Sequence, residues 1–95
     1  MAQIRRLVLD VLKPHEPAVP ALADGVADCP GVEGVNVSLV ESDREVENVK
    51  LTLEGEDIDY DAVRSTVDEF GASVHSIDEF ACGETLIEAG ETPQD

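Results

Sequence analysis

His75-Ser76-Ile77-Asp78-Glu79 puts an imidazole, a hydroxyl and two carboxylates in one short stretch. Those groups are the raw material of nucleophilic catalysis, in which a base takes the proton of an attacking hydroxyl. The stretch reads as a strand, and strand side chains alternate between faces. Strict alternation places His75 with Glu79 and Ser76 with Asp78 on the opposite face, whereas a triad needs convergence at one point. No nucleophile elbow and no glycine-rich oxyanion loop accompanies it. The residues are therefore expected to shape a ligand pocket or an interface, or to serve as hydrogen-bonding structure, and the chain is expected not to be an enzyme.

Two acidic clusters could hold a hard cation. Glu41, Asp43, Glu45 and Glu47 form one, and Glu54, Glu56, Asp57 and Asp59 the other. Calcium accepts about six to eight oxygens in irregular geometry. Neither cluster has EF-hand spacing, so calcium or another divalent cation and a simple solvated acidic loop both stand as readings. Cys29 and Cys82 are isolated, with no CxxC and no Cys/His ligand pair. They read as two small buried or half-buried thiols in a reducing cytosol. Walker, GxGxxG and HExxH motifs are missing as well.

The charge is lopsided: 22 acidic residues face six basic ones, for a formal net charge of -16. Such a chain repels itself at low salt, and molar salt shrinks the Debye length to about 3 Å and removes that repulsion. Evenly spread carboxylates with lysines only at Lys13 and Lys50 read as the surface of a halophile's cytosolic protein. Nucleic acid is not expected as a partner, since no basic patch exists to release counterions. No stretch approaches the roughly 20 apolar residues of a membrane span, and Leu7 to Leu9 is too short for a signal sequence. A membrane partner is thus not expected, and the cytoplasm is the expected location.

The elements that position these residues follow from hydrophobic period. Ile4 to Leu12 alternates, with Leu7, Leu9 and Val11 on one face and Arg6, Val8, Asp10 and Leu12 on the other. Pro17 to Cys29 carries a helical stripe of Val19, Leu22 and Val26, with Pro17 and Pro20 in its first turn and Cys29-Pro30-Gly31 as its stop. Val32 to Glu41 and the run around Val49, Leu51 and Leu53 alternate across the polar link Ser42 to Glu45, as a β-hairpin does. Tyr60, Val63, Val67 and Phe70 mark a second helix, capped by Asp57 or Asp59 and ended by Gly71. In the final strand, Ala72 to Ala81, Val74, Ile77 and Phe80 do not share parity, which predicts a bulge.

The order βαββαβ with right-handed crossovers gives an α+β, ferredoxin-like sandwich: an antiparallel sheet of order 4-1-3-2 with two helices on one face. Asp10, Lys50, Thr52, Ser38 and Asn36 then share the face away from the helices. Asp10 and Lys50 sit on neighbouring strands, where either a cross-strand ion pair or a ligand- or subunit-facing patch is expected. Residues 1–85 form the domain and 86–95 an acidic, flexible tail, disordered from Gly90 onward.

Four stretches carry a family resemblance: Leu9-Asp10-Val11-Leu12-Lys13-Pro14-His15, Gly31-Val32-Glu33-Gly34-Val35-Asn36, Glu47 to Gly55, and Val74-His75-Ser76-Ile77-Asp78-Glu79. Together, from about Ile4 to Gly83, they resemble the archaeal family known as domain of unknown function 211. The resemblance implies the ferredoxin-like fold, cyclic homo-oligomers and divalent-cation binding at acidic positions. It implies no established activity. The acid load departs from the family pattern and fits a haloarchaeal member. The expectation is then a non-enzymatic domain that partners with itself, with Asp10, His15 and His75 to Glu79 at an interface or pocket. A rival is a small-ligand module resembling ACT domains. The loop Lys13-Pro14-His15-Glu16-Pro17 lacks the glycine such sites favour.

Overall fold

The computed structural model describes residues 3–88. Its order is β1 (Ile4–Pro14), α1 (Val19–Ala27), β2 (Val32–Ser42), β3 (Val46–Gly55), α2 (Tyr60–Glu69) and β4 (Ser73–Cys82). One antiparallel sheet runs β2-β3-β1-β4, the ferredoxin-like order expected from the sequence. The disorder expected from Gly90 onward lies outside the described residues.

Alternation dictates the core. In the β1–β3 register, Leu7 faces Leu53, Leu9 faces Leu51 and Val11 faces Val49. All six are fully buried, together with Leu22 and Val26 of α1 and Val63 and Val67 of α2. Each such side chain contributes about 1.5–3 kcal/mol by leaving water. The helices approach closely at Gly25, where an added Cβ would lie 2.9 Å from the Phe70 ring. Asp59, of the two expected caps, closes α2 by accepting from the Ala62 amide at 3.0 Å. Gly71 follows with φ of 78°, the left-handed conformation a helix stop requires.

Some expected boundaries shift. α1 begins at Val19, so Pro17 lies before it and only Pro20 sits in the first turn. β1 runs on to Pro14, opposite Val46. The hairpin link shortens to residues 43–45 because Ser42 and Val46 remain in the ladder.

The parity problem in the last strand is solved by bulges. Along β1, Val8 faces Glu79 and Leu9 faces Ile77, so Asp78 is extra. Asp10 faces Ser76 and Val11 faces Val74, so His75 is extra. The two insertions bring Val74, Ile77 and Phe80 opposite the core residues Val11, Leu9 and Leu7. Only Val74 packs against the core, and Ile77 and Phe80 remain exposed.

Candidate functional site

The face of the sheet away from the helices is polar. Register aligns Ser38, Lys50, Asp10 and Ser76 in one row across all strands, and Asn36, Thr52, Val8 and Glu79 in the next. The expected shared face is therefore real. The expected Asp10–Lys50 ion pair is not. Although the two are register partners, the Asp10 carboxylate accepts from the side-chain amide of Asn48, its diagonal neighbour. Lys50 makes no ion pair among the described residues.

Beside that pair lies a hollow of about 250 Å³, lined by Asp10, Leu12, Asn48, Val46, His75 and the hairpin residues Glu41 to Asp43. His75 reaches it because it is the inserted residue of a bulge. This corrects the strict alternation expected of the strand: Glu79 and Ser76 share the open face, instead of lying opposite each other. The Ser76 hydroxyl donates to Asp78 at 2.8 Å. Among the described residues no hydrogen bond joins either histidine to Ser76, so the Ser76 hydroxyl has no imidazole base beside it.

His15 lies apart, at the hairpin end. Its Nε2 stands 2.7 Å from the Asp43 carbonyl, and Nδ1 stands 3.3 Å from Glu47. Next to it is a residue the sequence reading passed over. Lys13 continues the core parity of Leu7, Leu9 and Val11, and it is 1% exposed. Its ammonium donates to Glu47 at 2.8 Å and to the Pro14 carbonyl at 2.8 Å. A buried ammonium is tolerable only with such partners. The Lys13 hydrogen bond holds the Glu47 carboxyl below its usual range, aided by His15.

The acidic clusters disperse into structural roles. Asp43 accepts from the backbone amides of Val46 and Glu45, both at 2.9 Å, and these bonds lower its pKa. Glu54 pairs with Arg6, Glu56 lies 3.5 Å from Arg5, Asp59 caps α2, and Asp57 sits in the turn before it with φ of 56°. Glu41 lines the open-face hollow. Among the described residues no three His, Cys, Asp or Glu side chains are grouped so as to hold a metal ion. Cys29 is buried and Cys82 exposed, both as free thiols. No helix among the described residues is long and apolar enough to cross a membrane.

The other unforeseen centre is Arg6. It donates to Glu54, to Glu79 at 3.2 Å and to both oxygens of Glu88 at 2.7 and 2.8 Å. Glu88 and Glu54 raise its pKa, and Arg6 in turn lowers that of Glu88. A basic residue on the open face beside Glu54 was the available signal.

A ferredoxin-like sheet with a polar open face defines a class of small α+β domains, within which sequence decides the family. Residues 5–95 match the DUF211 family, described as "Uncharacterized ArCR", and the chain belongs to it. It is 44% identical over 95 residues to "Uncharacterized protein MJ0319" of the archaeon Methanocaldococcus jannaschii, covering 100% of this chain and 98% of that protein. The family is uncharacterised and carries no described enzymatic activity.

Proposed function

We propose that this domain is a non-enzymatic building block that joins copies of itself head to tail into a ring. One observation carries the reading. Large apolar side chains are exposed at opposite ends of the strand order: Leu39 and Val40, at 59% and 58%, on β2, and Ile77 and Phe80, at 47% and 50%, on β4. Two different patches on opposite edges favour a heterologous contact, which repeats from copy to copy and closes into a ring when the rotation allows. A domain this small gains core by such burial. The acidic surface is read as adaptation to high salt, and any divalent cation that takes part bridges copies, because the described residues of one chain gather no ligand set.

Light scattering in high-potassium buffer, with calcium and with chelator, tests both clauses. A multimer that Leu39→Asp reduces to single copies supports the assembly, and a monomeric parent chain refutes it. A mass or melting temperature indifferent to calcium refutes the bridging cation, since a ligand of the native state must stabilise it.

The hollow at Asp10, Asn48 and His75 favours a second reading, a small-ligand module like the ACT domains. At about 250 Å³ it falls below the usual ligand pocket and would be completed by a neighbouring copy. A thermal-shift screen of metabolites without a hit removes that reading.

A further inference from the structure

After β4 the chain does not leave the sheet. Gly83, with φ of 123°, turns it back, and the Gly83 amide donates to the Gln3 carbonyl at 2.7 Å. Two consecutive arginines then hold the returning segment. Arg5 donates to the Gly83 carbonyl at 2.9 Å and to the Glu84 carbonyl at 2.7 Å. Arg6 grips the Glu88 carboxylate with two nitrogens, the planar fork geometry that distinguishes arginine from lysine. Arg6 lies largely against the sheet at 14% exposed, while Glu88 meets it from the solvent side at 63% exposed. Ile87 and Glu88 face Glu79 to Cys82 of β4 across a hollow of about 350 Å³. The segment thus stands in the approach to one end of an open edge strand. That end includes Phe80, one of the exposed apolar residues.

The strength of the grip follows from its surroundings. Arg6 already serves Glu54 and Glu79, so Glu88 is the third carboxylate on one guanidinium. Mutual repulsion among the three makes the outermost member the easiest to release, and Glu88 is the most exposed of them at 63%. The segment is held well enough to dock and loosely enough to leave.

We infer that Gly83 to Glu88 is a strap, clamped by Arg5 and Arg6, which must swing away before a second copy of the chain can occupy the Glu79–Cys82 stretch of β4. The gating half of this inference rests on the head-to-tail assembly proposed above, and the strap itself does not.

The thiols supply the readout. Cys82 is exposed and borders the same hollow, while Cys29 is buried and bonded to Gly25 and Thr66. Iodoacetamide alkylation is followed in the Leu39→Asp background, so that assembly does not cover Cys82, with Cys82→Ser assigning the signal. Glu88→Gln leaves Arg6 its other two partners and so spares the sheet. Glu88→Gln, and a chain ending at Leu86, are expected to speed alkylation of Cys82 about twofold, a modest factor because the thiol is already exposed with the strap in place, and Arg6→Lys less. Hydrogen exchange at the Gly83 amide should quicken in parallel, which a change in thiolate charge alone would not cause. Unchanged rates in both variants overturn the strap. In the chain with Leu39 intact, Glu88→Gln should assemble at lower concentration. If alkylation quickens but mass does not change, the strap stands and its gating role falls. If Leu39→Asp leaves the mass of the parent chain unchanged, the assembly reading itself fails.

Discussion

The central strands and the edge strands of this sheet obey different rules. β1 and β3 pair in unbroken register from Arg6 opposite Glu54 to Pro14 opposite Val46. β2 and β4 both slip: β2 carries Glu33 and Val40 as insertions, and β4 carries His75 and Asp78, whereas the one extra residue on β1, Arg5 opposite β4, falls at the strand's start, before the core run begins at Leu7. The difference lies in burial. A one-residue slip in β1 or β3 would turn Leu7, Leu9 and Val11 or their partners out of the core, so every residue resists it. At the edges Leu39, Ile77 and Phe80 are already exposed, and the same slip costs little. The irregularities also serve a purpose there, because bulged edges resist indiscriminate pairing with other sheets.

The largest expected effect tests that contrast directly. Leu51→Ala should destabilise the domain by about 2–5 kcal/mol, through lost burial and the cavity left behind. Phe80→Ala, in the Leu39→Asp background, should cost less than about 0.5 kcal/mol. Urea unfolding of both would show the gap, and equal losses would break the distinction between centre and edge.

Gly25→Ala comes next. The new methyl meets the Phe70 ring and the Thr66 methyl in a closely packed seam, so about 1–3 kcal/mol should be lost. The melting temperature would show whether the helix layer is as tightly specified as the central strands. A stabilised variant would mean the seam is looser than its distances indicate.

Asp59→Ala should cost about 1 kcal/mol by orphaning the Ala62 amide at the start of α2. Asp57→Asn, which keeps a residue tolerant of the left-handed φ of 56° at that position, should cost less, since the Asp57 side chain does not cap the helix. A reversed order in thermal unfolding would reassign the cap.

The smallest effect concerns acid. Glu47 is held below its ordinary value of 4.5, chiefly by Lys13. A depressed carboxyl contributes stability that is present above its unfolded pKa and lost as pH falls through its folded one. The urea midpoint should therefore drop on acidification from about pH 5 downward. Glu47→Gln should flatten part of that drop, with the remainder left to Asp43 and Glu88, which are also lowered. An unaltered acid limb would remove Lys13–Glu47 as a contributor.

Much of the fold was legible because local pattern and burial agree. The parities of Leu7, Leu9 and Val11 and of Val49, Leu51 and Leu53 named the two halves of the core. The stripes of α1 and α2 supplied its cover, and the misfit of Val74, Ile77 and Phe80 announced the bulges. The candidate site was less legible. Asp10 was placed on the right face and given the wrong partner, because direct opposition on a strand does not decide which side chain reaches which. Lys13 on a core parity was a visible oddity whose meaning lay in Glu47, on another strand.

By itself, then, the sequence determined the element order, the sheet order, the buried face and the family, since each depends on periodicity and on short strings of residues. The tertiary structure alone decided that His75 lines the same hollow as Asp10, that Lys13 is buried against Glu47, and that Arg6 gathers Glu54, Glu79 and Glu88. Those outcomes depend on register between distant strands and on side-chain reach. Alternation along a single strand does not encode either.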